Sequence, residues 1–256
     1  MHSLIYVTTK AIDIGYTGPW AYGHLAIAAV FVPVAILAWR LNWRTWLRFV
    51  FLAMATWSVA SAAIVRYVFQ LNEPLTLPTQ AFLKSGSGKV LDIGCGSGRA
   101  TLAVLMERPQ TTVVALDNWS ADYIKGNGPD RLLSNAEAIG AEKRVETKTG
   151  DMRSLPFPEA TFDGVISTYA IDHVSHADSI KSLKEAARVL KPGGEFLLAV
   201  MNGDGWTLFT FGPYFHHNPR SGLANWKSNV EEAGLIVEEA GKKPWTVYIL
   251  SRKPGK

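Results

Sequence analysis

Two long apolar runs open the chain, and after them the rhythm changes. From Trp20 to Trp39 the sequence WAYGHLAIAAVFVPVAILAW contains no Lys, Arg, Asp or Glu. As a helix rising 1.5 Å per residue, such a run crosses a hydrocarbon core of about 30 Å. Trp20, Tyr22 and Trp39 stand near its ends, where aromatic residues meet the membrane interface, and Pro33 is a kink that lipid-embedded helices tolerate. A second run, Phe49 to Val65, extends through Arg66 to Leu71 if that arginine snorkels to a headgroup. Its small residues Ala53, Ala55, Ala60, Ser61 and Ala63 would let it pack closely on the first. The joining stretch RLNWRTWLR is short, so the pattern predicts an antiparallel transmembrane hairpin.

Beyond NEPLTLPTQ, whose prolines and polar residues read as a linker, short β-rich runs alternate with helical patterns. The strands are KVLDIG, TTVVALD, RVETKTGD, FDGVIST, EFLLAV, LIVEEAGK and WTVYILSRK. Helical stretches of the amphipathic kind separate most of them, which predicts an α/β, doubly wound, Rossmann-like seven-stranded sheet with helices on both faces. Only GKKP lies between the last two strands, too short for a crossover, so they should pair antiparallel at the sheet edge. The expected layout is an arm with membrane segments over 1–71 (about 20–39 and 47–71), a linker over 72–83 and the α/β domain over 84–256.

Charge sharpens this division. Five of the 26 basic residues and one of the 22 acids lie within residues 1–71, which leaves 21 of each in the remainder. The basic character therefore belongs to the apolar arm, and a neutral domain argues against nucleic acid as a partner. Arg40, Arg44 and Arg48 fall in the hairpin's connecting loop, where the positive-inside tendency would put that loop in the cytoplasm and both ends outside. A second segment that lies in the interface without crossing would relieve the conflict. The single cysteine, Cys95, excludes an internal disulfide and a cysteine metal site.

Candidate chemistry begins where the first strand ends. Gly94, Gly96 and Gly98 follow VLDI and precede a helix, so the backbone can turn tightly and approach a ligand at the carboxyl end of the sheet. Asp117 ends the next strand, 23 residues beyond Gly94, where an acid can bind ribose hydroxyls or simply cap the following helix. No GxxxxGK[ST] is present, so triphosphate hydrolysis is not indicated.

With VLDIGCGSG, ALD, GDMRSLPFPEATFDGVIS and EAARVLKPGGEFLLAV in this order, the chain resembles the class I S-adenosylmethionine-dependent methyltransferases over about residues 84–256. The resemblance implies S-adenosyl-L-methionine as cofactor. It implies further that Asp92 and the backbone of Gly94, Gly96, Ser97 and Gly98 hold the methionine end. Asp117 would bind the ribose, Asn118 and Trp119 lie beside the adenine, Asp151 and Met152 contact its edge, and Ser167 and Thr168 lie near the sulfonium. An acid at the head of the loop suits an ammonium better than a pyrophosphate, and the Trp119 face suits adenine stacking as well as core packing.

After the fourth strand, STYAIDHVSH supplies candidates for the reaction itself. His173 is the natural general base near neutral pH, Asp172 would orient it or bind a cationic acceptor, and Tyr169 would line the pocket. Capping for Asp172 and packing for Tyr169 are the plainer alternatives. Further on, Trp206, Phe209, Phe211, Tyr214, Phe215, His216 and His217 read as an aromatic lid for a lipophilic acceptor, with no metal implied by the two histidines. The combined expectation is a membrane-anchored methyltransferase facing the cytoplasm and acting on a small lipophilic molecule. A cofactor-binding module without catalysis is the alternative.

Overall fold

The structure is a computed structural model that describes residues 11–16, 18–120, 123–212 and 222–255. The first apolar run forms α1 (Pro19–Arg40) and the second forms α2 (Thr45–Ile64). Both are long and apolar enough to cross a membrane, α2 when counted with the π-helical turn Val65–Phe69 that continues it. The two helices pack through Ala28 and Ala38 on one and Ala55, Ser58 and Ser61 on the other. Ala53 and Ala63 point outward instead, because they fall off the seam that Ala55, Ser58 and Ser61 mark at helical spacing. Leu25, Val30, Ile36, Leu52 and Val59 are likewise exposed.

The sheet holds seven strands in the order β3-β2-β1-β4-β5-β7-β6. They are β1 (Ser87–Ile93), β2 (Gln110–Asp117), β3 (Val145–Thr149), β4 (Phe162–Thr168), β5 (Leu190–Met201), β6 (Ile236–Lys243) and β7 (Thr246–Arg252). The first five pair in parallel, whereas β7 runs antiparallel to both β5 and β6. The short connection does give an antiparallel pair, and it is the second strand of that pair that joins the sheet while β6 takes the edge.

Helices α3 (Arg99–Glu107), α4 (Pro129–Ala138), α5 (His176–Val189) and α7 (Leu223–Glu232) cover the faces, and a short α6 (Gly205–Phe211) precedes the last of them. Alternation along the strands sends Leu91, Val114 and Val165 into one apolar cluster and Val90, Val113 and Ile166 into the other, so both faces are covered. Strand order reverses between β1 and β4, which opens a crevice at their carboxyl ends.

Residues 72–83 do not behave as a free tether. Leu77 and Phe82 are fully buried, and Arg108 donates to the carbonyls of Phe82 (2.8 Å) and Gln80 (3.0 Å). Residues before the hairpin also belong to the domain: Ile14 is buried against Leu102 and Ala136, and Asn135 brackets Asp13 through its backbone N–H and C=O. The Asn72 side chain joins the two approaches, accepting from Tyr16 N (2.9 Å) and donating to Tyr16 O (3.0 Å).

Candidate active site

Gly94 N and Cys95 N both donate to Leu116 O, which fastens the turn after β1 to the end of β2. Gly94 has φ +73°, and a Cβ there would stand 2.3 Å from Ala170 Cβ, so only glycine fits. Gly98, at φ +98°, caps α3, which therefore starts directly over the sheet. Asp117 closes the loop from the other side: Oδ2 accepts from Gly96 N (2.8 Å) and Oδ1 from Trp119 N (2.6 Å).

Above these groups lies a cavity of about 480 Å³, of the size that holds a small ligand. Gly94, Gly96, Ser97, Asp117, Asn118, Asp151, Met152, Thr168, Tyr169 and His173 are on its wall. Asp92 and Ser167 are not, since both are fully buried beneath the loop. Asp92 Oδ2 accepts from Thr101 Oγ1 (2.6 Å) while Oδ1 has no partner among the described residues. Burial pushes the Asp92 carboxyl up to about 7, against the opposing hydrogen bond from Thr101. Ser167 Oγ donates to Ile93 O (2.9 Å) and so locks β4 to β1.

Trp119 also turns away from the cavity. Its Nε1–H donates to Thr149 Oγ1 (2.9 Å), and its ring packs on the cluster of Cys95, Ala115 and Leu132. Asp151 is exposed and bound in fork geometry by Arg153, whose hydrogen bonds hold its carboxyl below the usual range. Burial raises the Cys95 thiol well above its usual value, so it does not serve as a thiolate nucleophile.

The three candidates after β4 separate in role. His173 is exposed at the cavity rim, with its ring 6.1 Å from that of Tyr123. Asp172 lies off the wall: its Oδ2 accepts from Met201 N (2.9 Å), which pins it to the end of β5. Tyr169 lies on the wall yet is committed to packing, stacked on Trp245 at 4.6 Å and 6° and hydrogen-bonded to Thr246 Oγ1. Burial drives its hydroxyl to about 12, so it is no base.

Three wall residues carry no sequence signal of their own: Tyr16 from the segment before the hairpin, Tyr123, and Arg99 in the first turn of α3. Arg99 is buried, and it donates to Glu73 O (3.0 Å) and Gln70 O (3.1 Å), where the second apolar helix ends. Its Nη1 has no partner among the described residues, nor has the Oγ of Ser97, another residue of the cavity wall. An unpartnered guanidinium nitrogen and an unpartnered hydroxyl are donors suited to the carboxylate of an amino acid, and the Asp92 carboxyl under the glycine turn is an acceptor suited to its ammonium. Asp117, at the end of β2, lies on the wall of the same cavity. The residues present therefore fit S-adenosylmethionine.

Of the proposed lid, Trp206, Phe209 and Phe211 do not reach the cavity. They lie on α6, which docks on the hairpin through a hydrogen bond from Trp57 Nε1 to Phe209 O (2.8 Å) and through Phe211 against Phe69. Tyr214, Phe215, His216 and His217 lie outside the described residues.

Comparison with known proteins agrees with this geometry. A family described as a methyltransferase domain matches residues 90–194. The chain is 31% identical over 167 residues to a biotin biosynthesis bifunctional protein of Teredinibacter turnerae, covering 62% of this chain and 28% of that one. It is 36% identical over 110 residues to a ubiquinone/menaquinone biosynthesis C-methyltransferase of Pseudomonas savastanoi pv. phaseolicola, covering 43% and 40%. The chain thus spans less than half the length of either relative. The solved structure of PH0226 from Pyrococcus horikoshii has the same fold, with a TM-score of 0.52 at 23% identity over 68% of this chain and 85% of that one. Over residues 90–194 the chain matches a methyltransferase domain, and the seven-stranded fold around that stretch is the one that class I, S-adenosylmethionine-dependent methyltransferases have.

Proposed function

We propose that this protein is a membrane-anchored methyltransferase that transfers a methyl group from S-adenosylmethionine to a small lipophilic acceptor, with its catalytic domain on the cytoplasmic face. The observation that carries the proposal is Arg99, which lines the cofactor cavity and at the same time holds the end of the second apolar helix. A site built partly from the hairpin's own end favours an acceptor that dissolves in the bilayer. The relative that is a ubiquinone/menaquinone biosynthesis C-methyltransferase supports that class.

When bound, S-adenosylmethionine supplies an electrophilic methyl group on a sulfonium, and the protein's task is to hold and align. Arg99 Nη1 and Ser97 Oγ would take the carboxylate of the methionine end, and Asp117 the ribose hydroxyls. Asn118, Asp151 and Met152 frame the adenine side. Tyr16, Tyr123 and Tyr169 wall the remaining space, apolar in body and polar at the tip. His173 at the rim accepts the acceptor's proton where one must leave. Asp172 acts indirectly, by fixing the turn that carries His173 to the end of β5.

The test is calorimetric titration of the full chain in detergent with S-adenosylmethionine, beside Asp117→Ala, followed by radiolabelled methyl transfer into a total lipid extract. Binding that the substitution abolishes, with label in an extractable lipid, is the expected result. Binding without lipid labelling would overturn the lipophilic acceptor in favour of small thiols or amines. Absence of binding would overturn the enzyme reading.

A further inference from the structure

Helix α6 has its polarity reversed. Its sequence, GWTLFTF, holds no charge, and its two threonines face inward, Thr207 1% and Thr210 0% exposed. Trp206, Leu208 and Phe209 face outward, 44%, 53% and 46% exposed. A helix packed on a protein in water does the opposite, burying its apolar side chains and presenting polar ones. Here the Thr207 hydroxyl is satisfied within the protein by Asn202 O (2.8 Å), and large apolar groups are left at the surface.

Its position says what that surface meets. Phe211 packs on Trp20 (5.7 Å) and His24 (5.9 Å), in the first two turns of α1. At 1.5 Å per residue, those turns span about the first 8 Å of the hairpin on the side of the domain. This is the level of Tyr22 and Tyr67, exposed aromatics of the kind that mark a membrane interface. The outward face of α6 thus continues the apolar outer face of the hairpin at headgroup depth. It is also held rigidly: Asp204 caps the helix through Trp206 N and Thr207 N and accepts from Trp245 N (2.7 Å) with its other oxygen.

We propose that α6 is a third membrane-contacting element, lying in the lipid interface beside the hairpin with Trp206, Leu208 and Phe209 among the headgroups and upper acyl chains. This inference rests on the membrane reading of the hairpin and adds to it that the domain is seated on the bilayer by a second, separate contact. The relay from Asp204 through Trp245 to Tyr169 then fixes one wall of the cavity relative to the lipid surface.

The experiment places an environment-sensitive fluorophore on Leu208→Cys, on Val30→Cys in the exposed face of α1 and on Glu142→Cys at the far edge of the sheet, each in the full chain. Cys95 is buried and stays unlabelled in the folded protein. The labelled proteins are reconstituted in phosphatidylcholine and phosphatidylglycerol vesicles carrying nitroxides at shallow or deep acyl positions. The expected result is a blue shift and quenching by shallow nitroxides at position 208, quenching by deep ones at 30, and neither at 142. If position 30 is quenched and 208 behaves as 142 does, α6 is not in the membrane although the hairpin is. If neither 30 nor 208 is quenched, the membrane reading itself is wrong. Shielding of position 208 from aqueous iodide in detergent and lipid alike, without nitroxide quenching, would mean that a protein surface covers α6 and would also overturn the proposal.

Discussion

Arg99 donates from its guanidinium to the carbonyl of Gln70 at 3.1 Å, and so joins the first turn after the glycine loop to the residue that caps the second apolar helix. Gln70 stands in the left-handed region (φ +47°), where the helix has just ended and its carbonyls need partners. One side chain therefore serves as a cap for the hairpin and as a wall of the cavity. Replacing it by Gln leaves buried carbonyls unpaired and should cost about 1–3 kcal/mol of stability. Arg99→Gln should also weaken S-adenosylmethionine about tenfold or more, by the loss of a charge-assisted bond. Binding of methylthioadenosine, which lacks the carboxylate, should change far less; equal losses for both ligands would remove Arg99 from the carboxylate site.

Gly94→Ala sets a Cβ 2.3 Å from Ala170 Cβ in a backbone conformation that L residues avoid by about 1–2 kcal/mol. A loop that relaxes in the free protein and must return to this conformation to hold the cofactor should lose about five- to thirtyfold in affinity from the backbone term alone. Adding Ala170→Gly should recover the steric part of the loss and not the conformational part. Titration calorimetry on the two variants separates the contributions.

Asp92 makes the stability of the cofactor-free protein pH-dependent in a defined direction. Its carboxyl titrates near 3.8 when unfolded and about 7 when folded, so between those values the folded state holds a proton that the unfolded state has released. The contribution is greatest below the lower value, declines as pH rises and is gone above the upper one. Urea midpoints between pH 4 and 8 should show Asp92→Asn gaining on the unsubstituted protein toward the alkaline end. A constant difference across the range would mean that Asp92 is ionised throughout.

Trp245 bridges the two parts of the molecule, 5.0 Å from the Phe69 ring on one side and stacked on Tyr169 on the other. Trp245→Ala should cost about 3–5 kcal/mol, whereas Tyr169→Phe, which keeps the stack and loses one hydrogen bond, should cost about 1 kcal/mol. Chemical denaturation in detergent checks both. Similar losses for the two would mean that the stack carries little of the join.

How much of this could be read beforehand depended on the range of the interaction. The strands from Lys89 to Arg252 and the turn at Gly94 are written in local periodicity and in glycine chemistry, so they were legible. Arg99 was not: what it holds lies about 26 to 30 residues earlier in the chain, and nothing in GRATLAV marks a partner at that distance. In NEPLTLPTQ the prolines suggested a tether, yet Leu75 and Leu77 are the apolar positions that attach it to the domain. In GWTLFTF the aromatic content was visible but its direction was not, because a helix of seven residues shows too little period to tell an inward face from an outward one.

The clasp between Asn72 and Tyr16 gives the hairpin the topology of an insertion. Its two ends leave from and return to the same point, where one amide side chain grips both backbone groups of one residue. The closure cost of the long excursion between them is thus met outside the excursion itself, in contacts that belong to the domain. Another helical pair spliced between these points would have to keep the Phe69 and Gln70 carbonyls that Arg99 grips and the Phe69 ring that meets Trp245.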